Sequence, residues 1–235
     1  MDEREIQQKY YSETAETYNL WHVNEHDEHA FALSFLASVV DFLGIKTILD
    51  VGAGTGRAVL YIKQKRPEIS VIGIEPVKDL RSIGHKSGLS EHELVEGDGT
   101  KLKFCDNAFD LVSAFGILHH IKHPEVVVRE MLRVGKKAIF ISDSNNFGQG
   151  SFLSRSMKQF INLIGLWKMA DLVKTRGKGY MLSEGDGLSY SYSVFNNYRQ
   201  IRHGCKRVHI LNTMDANINP YRSAAHVALL GIKGE

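Results

Sequence analysis

The chain has 235 residues, 43% of them hydrophobic and 24% charged, enough for one sizeable domain with its own core. Lys and Arg number 29 against 27 Asp and Glu, a formal charge of +2, so nothing global calls for a nucleic-acid or membrane partner. Cys105 and Cys205 lie far apart without metal or redox spacing, and the polar start MDEREIQQKYY lacks a signal-peptide layout; both fit a soluble, cytoplasmic protein with reduced thiols.

In chain order, the first apolar pattern is AFALSFLASVV, residues at three-and-four spacing that Gly44 closes, which predicts a helix too short to span a bilayer. KTILDV predicts a strand buried on both faces, RAVLYIKQKR a helix, SVIGIE a second strand and KDLRSIGHK a short helix. HELVEGD and FDLVSAF read as the third and fourth strands, PEVVVREMLRV as a helix with Pro124 at its start, and KAIFIS as the fifth strand. This alternation predicts an α/β fold with a parallel, helix-covered sheet. Beyond it, residues 151–173 look helical, and TRGKGYMLSEGDGLSYS reads as a loop with four glycines. VFNNYRQIRH is a further helix. KRVHILNT and SAAHVALLGIK, joined by the turn-like MDANINPY, close the sheet as an antiparallel hairpin.

The most informative stretch is ILDVGAGTGRAVLYI, where an apolar strand runs into Gly52, Gly54 and Gly56. Bare backbone at a strand tip, leading into a helix start with unpaired N–H groups, suits the close approach of a ligand. A dinucleotide fingerprint would need its third glycine at position 57, which is Arg57, and no GK[ST] follows for a phosphate loop. Asp50 is unfavourable beside a pyrophosphate and favourable beside an ammonium group. Glu75 ends the second strand, where a carboxylate can accept both hydroxyls of a ribose, and Asp98 follows the third, where it can accept from an exocyclic adenine amine. The implied ligand is a nucleoside with a cationic, amine-bearing tail.

Residues 46–142 resemble the core of the class I S-adenosylmethionine-dependent methyltransferases, through LDVGAGTGR, GIEP, EGDGTKLKFCDNAFDLVSAFGILHHI and KAIFIS in order. The helical piece YYSETAETYN and the closing hairpin are most similar to the family's small-molecule branch. The resemblance implies a Rossmann-like, seven-stranded, mostly parallel sheet with helices on both faces and an antiparallel C-terminal strand. It implies S-adenosyl-L-methionine as cofactor and S-adenosyl-L-homocysteine as product. It assigns the methionine ammonium to Asp50 and the backbone around Gly52, Ala53 and Thr55, and close approach to Gly54 and Gly56. The ribose falls to Glu75 and Pro76, the adenine to Asp98 and Gly99, the methionine arm to Ala114 and Phe115, and Tyr18 closes over the cofactor. The expected organisation is a helical cap over 1–45, the cofactor core over 46–142, an insertion or lid shaping the acceptor site over 143–193, and a helix with the closing hairpin over 194–235.

A sulfonium-bound methyl is already activated, so the protein's task is alignment of the acceptor, methyl and sulfur, with a base where the acceptor must lose a proton. Base candidates are His119 and His120 after the fourth strand and Asp143 after the fifth; Ser142-Asp143-Ser144-Asn145 also suits a turn. His22, His26 and His29 share one face of a single helix and would suit a metal, but the flanking acids fit a solvated face, and no metal is assigned. Residues 151–178 interleave apolar side chains with Arg155, Lys158, Lys168, Lys174, Arg176 and Lys178. This amphipathic pattern suits a lid over an anionic or bulky apolar acceptor, a peripheral membrane contact, or an ordinary packed helix. The expected reaction is in-line methyl transfer to oxygen, nitrogen or a carboxylate of a small molecule. The alternatives are a non-catalytic S-adenosylmethionine-binding protein and a nucleic-acid or lipid-linked acceptor. No nucleic acid is expected, because the charge is near neutral and no NPPY-type tetrapeptide follows the fourth strand. The oligomeric state is left open.

Overall fold

The structure, a computed structural model, describes residues 2–214 and 219–234. The predicted turn MDANINPY falls partly outside the described residues, at 215–218. Seven strands form the main sheet: β1 (Thr47–Val51), β2 (Ser70–Ile74), β3 (Leu94–Val95), β4 (Phe109–Phe115) and β5 (Gly135–Ser144) first. The hairpin β6 (Tyr180–Ser183) and β7 (Gly187–Tyr190) stands apart, and β8 (Arg207–Asn212) and β9 (His226–Ile232) complete the sheet. Spatial order is β3-β2-β1-β4-β5-β9-β8, parallel except where β9 runs antiparallel between β5 and β8. The predicted Rossmann-like α/β fold and its antiparallel closing strand are therefore observed.

Helices α1 (Glu3–Thr14), α2 (Tyr18–His22) and α3 (Glu28–Val39) precede the sheet. The crossovers are α4 (Arg57–Lys65), α5 (Lys78–Lys86) and α6 (Pro124–Val134). Then come α7 (Phe152–Leu163), α8 (Trp167–Lys174), α9 (Tyr198–Gly204) and the single turn α10 (Pro220–Ser223). Strand alternation splits the core into two layers. Ile48, Leu111 and Phe140 pack under Leu36, Val59 and Ile62 of α3 and α4, whereas Leu49, Val112 and Ile139 pack against Val128, Met131 and Ile201 of α6 and α9. Strand order reverses between β1 and β4, so their carboxyl ends open a crevice there. Among the described residues no helix is long and apolar enough to cross a membrane.

Several local readings change. The third strand has only two residues, and Asp98 and Gly99 beyond it face the crevice. The glycine-rich stretch 175–191 contains the hairpin β6–β7, whose tight connection closes through Gly187 at φ +67°. Gly187 is needed twice over, since a side chain there would strike Gln7 and Tyr10 of α1 at 2.6 Å. Strand β5 runs through Ser144, so Asp143 is a buried strand residue and not part of a turn. Finally, residues 23–27 separate α2 from α3, so His22, His26 and His29 do not share one helix face.

Candidate functional site

The turn after β1 holds its shape through its own backbone. The N–H groups of Gly52 and Ala53 both donate to the Ile74 carbonyl at 2.9 Å, and Gly52 and Gly54 take φ values of +71° and +56°. Side chains fill the space that a Cβ would need: Ile117 lies 2.6 Å from such an atom on Gly52, and the Tyr18 hydroxyl 2.9 Å from one on Gly54. Tyr18 is thus seated over the turn, with its ring stacked on His22 at 4.6 Å. Thr55 donates to Asn19 of the same helical cap at 2.7 Å, and Gly56 ends the turn as the left-handed residue before α4.

Two cavities adjoin at the crevice. One, of about 360 Å³, is lined by Glu75, Pro76, Asp98, Gly99 and Ile117 and walled by α1. The other, of about 520 Å³, is lined by Asp50, Ala53, Thr55, Phe115 and Tyr18, with His119, His120 and His226 on its far side. Tyr11, Gly52 and His120 belong to both. A third, of about 240 Å³, shares His119, Ser144, Gln149 and Asp186 with the larger one and reaches Asp171 and Lys174 of α8. Ala114 lines none of them. Strand alternation turns its side chain into the core, while Phe115 faces the crevice.

The carboxylates sit in contrasting surroundings. Glu75 is buried and accepts the N–H groups of Gly54 at 3.0 Å and Val77 at 2.9 Å. Burial outweighs these bonds and pushes it up to about 6. Asp50 accepts the Ser113 hydroxyl at 2.8 Å, its one side-chain hydrogen bond among the described residues, and burial pushes it up to about 7. Asp98, half-buried, is paired with Arg4 of α1 at 2.9 Å and bonded to Thr100, which together hold it below the usual carboxylate range against its burial.

The histidine pair forms a buried polar cluster. His119 Nδ1 is 2.7 Å from Asp143, whose other oxygen accepts the Leu118 N–H at 2.8 Å, and His119 Nε2 faces Asp186 at 3.4 Å. Burial disfavours the charged ring, but the two carboxylates overcome it and push His119 up to about 10. His120 behaves oppositely. Its Nδ1 lies 2.6 Å from the Leu188 carbonyl and 3.0 Å from the Gln7 side-chain amide nitrogen, while its Nε2 lies 3.0 Å from the Tyr11 hydroxyl and 3.4 Å from Asp186. Burial, and then the charge on His119, hold His120 below its ordinary value. Sequence reasoning missed Tyr11, Ile117, Asp186 and His226. Asp186 had a readable signal, since EGDG between two β-prone runs is hairpin chemistry.

Residues 49–140 match the methyltransferase domain family. Among curated relatives, a phosphatidylethanolamine N-methyltransferase of Cereibacter sphaeroides is 28% identical over 138 residues, covering 50% of this chain and 61% of that protein. A demethylmenaquinone methyltransferase of Thermotoga maritima is 32% identical over 91 residues, covering 38% and 39%. The chain therefore spans less than two thirds of either relative. In fold it is similar to the magnesium protoporphyrin IX methyltransferase of Synechocystis PCC 6803, solved with bound S-adenosylhomocysteine: TM-score 0.60 at 12% identity, covering 99% of this chain and 100% of that one. The matched segment and the sheet order around it make this chain similar to the class I S-adenosylmethionine-dependent methyltransferases in its core.

Proposed function

We propose that the chain transfers the methyl group of S-adenosylmethionine to a small-molecule acceptor held in the larger cavity. The observation that carries this reading is the junction of the two cavities at Gly52. Adenosine in the smaller cavity, with Glu75 and Pro76 at its ribose and Asp98 and Gly99 at its adenine, would send its methionine arm past Gly52 toward Asp50, Ala53 and Phe115. The methyl group then enters the larger cavity. Here the protein acts through orientation and exclusion of water, effects worth on the order of 7–11 kcal/mol of barrier.

For an acceptor that must lose a proton, the base is His120, through Nε2 and the Tyr11 hydroxyl at 3.0 Å. His119, already protonated between Asp143 and Asp186, instead supplies a fixed positive charge. The acceptor's body extends into the third cavity, toward Lys174, which suits an anionic group. A lipid-borne acceptor is the second reading. Phe152, Leu153, Leu163 and Val173 on α7 and α8 are each at least 75% exposed beside Arg155, Lys168 and Lys174, a surface suited to an anionic bilayer.

The test is release of S-adenosylhomocysteine across amine, hydroxyl and carboxylate acceptors, offered free or in anionic vesicles. Turnover is expected, with His120→Ala lowering kcat more than it weakens cofactor binding. Tight cofactor binding without turnover on any acceptor would overturn the enzyme reading in favour of a binding protein. Cofactor affinity should also depend on pH. Asp50 at about 7 must lose its proton to face the ammonium, and Glu75 at about 6 must lose its own to accept both ribose hydroxyls. Binding therefore releases protons, and affinity rises with pH by about tenfold per unit below Asp50's value and more steeply below Glu75's. Calorimetry from pH 5 to 8 checks this, and a flat profile would contradict the placement of Asp50 at the ammonium.

A further inference from the structure

A second set of chemistry-bearing side chains lies across the larger cavity from the β1 turn. His226, the first residue of β9, is 5% exposed, and its Nε2 has no hydrogen-bond partner among the described residues. A buried imidazole nitrogen left this way is costly, and it points to a ligand. Its other nitrogen, Nδ1, lies 2.8 Å from the Thr213 hydroxyl just beyond β8. His29, in the first turn of α3, meets the His226 ring edge-on at a centroid distance of 4.6 Å. Glu28 precedes it, and one ligand atom from each of Glu28, His29 and His226 lies within 4.8 Å of the others. All three residues line the 520 Å³ cavity.

We propose that Glu28, His29 and His226 form a mononuclear site for a divalent transition ion of the zinc class, with its remaining coordination position open to the acceptor cavity. Two imidazoles and one carboxylate are a donor set that zinc, cobalt(II) and iron(II) accept, and three protein ligands with one open position is the arrangement of reactive sites. Thr213 supplies the outer contact such histidines need. If Nδ1–H donates to the hydroxyl, the tautomer is fixed and the Nε2 lone pair is presented to the ion.

His119, His120 and Asp186 also cluster, but their nitrogens are engaged. Asp143 holds His119 Nδ1, the Leu188 carbonyl holds His120 Nδ1, and Tyr11 holds His120 Nε2. A further contrast lies in the sequence pattern. His22 and His26, the spacing partners of His29, are elsewhere: His22 stacks on Tyr18 and His26 sits exposed in the turn before α3. The third ligand comes from 197 positions away in the chain, since the topology sets β9 beside β5 and under α3.

The experiment uses tag-free protein, stripped with a chelator and titrated with cobalt(II) alone. The expected result is one cobalt per chain with the visible absorption of a four- or five-coordinate ion, displaced by one equivalent of zinc. His226→Gln, checked for folding by circular dichroism, should bind at least about tenfold more weakly, and so should Glu28→Gln at its half-buried position. Thr213→Val should weaken binding while leaving the stoichiometry intact. No cobalt binding by the parent protein, or binding unchanged in both His226→Gln and Glu28→Gln, overturns the proposal. Binding abolished by His22→Ala with His26→Ala, yet untouched by His226→Gln, overturns it as well.

Discussion

Replacing Glu75 by alanine should weaken S-adenosylmethionine binding by about tenfold or more, because a charged acceptor facing the ribose is lost. Isothermal calorimetry reads this directly, and unchanged affinity would remove Glu75 from the donor site. The structure adds a second expectation. Glu75 costs the empty protein free energy as an anion, since burial raises it to about 6, yet it pairs two buried backbone donors, those of Gly54 and Val77. The substitution removes a disfavoured charge and strands two N–H groups. These effects oppose one another, so the melting temperature should move far less than the affinity does. A large loss of both would mean that the turn itself had collapsed.

Replacing Asp143 by asparagine should destabilise the fold by on the order of 3 kcal/mol, the range for breaking one partner of a buried ion pair. Asp143 is 1% exposed and holds the His119 ring at 2.7 Å. The pH dependence has a definite sign. Asp143 lies low, at about 2 in the fold against an ordinary 3.8, so its contribution is present above 3.8 and lost as pH falls through 2. His119 lies high, at about 10 against an ordinary 6.5, so its contribution is complete below 6.5 and lost as pH rises through 10. The parent–variant gap in denaturant unfolding should therefore be greatest between pH 4 and 6.5 and shrink toward pH 10. A gap independent of pH would show that the pair is not ionised.

The core of the fold was legible because its signals are local and period-bound. FDLVSAF and PEVVVREMLRV carry their element types in their own spacing, and both elements occupy the predicted residues. The gathering of acidic strand ends was legible for a related reason: Glu75 and Asp98, which line the smaller cavity, and Asp50, which lines the larger, stand at or just beyond successive strand ends that topology alone brings together. What escaped was whatever depends on side chains meeting across long chain separations. No periodicity links Tyr11 to His120, or His226 to His29, since those contacts arise where a helical cap crosses a sheet edge. The 143–193 region was harder still. Glycines that read as a loop instead close a hairpin, and Gly165 at φ +77° splits one expected helix into α7 and α8.

Helix α1 spans twelve residues as one rod, and each end of it holds something different. Arg4 grips Asp98 in the smaller cavity, while Tyr11 grips His120 where the two cavities meet. Between them Gln7 accepts the Leu188 N–H, and the Tyr10 hydroxyl donates to the Glu184 carbonyl at 2.6 Å. For the proposed methyl transfer, a helix pinned at both chambers would couple their occupancies. Whatever factor the nucleoside adds to retention of the second substrate, that substrate must return to the nucleoside in equal measure.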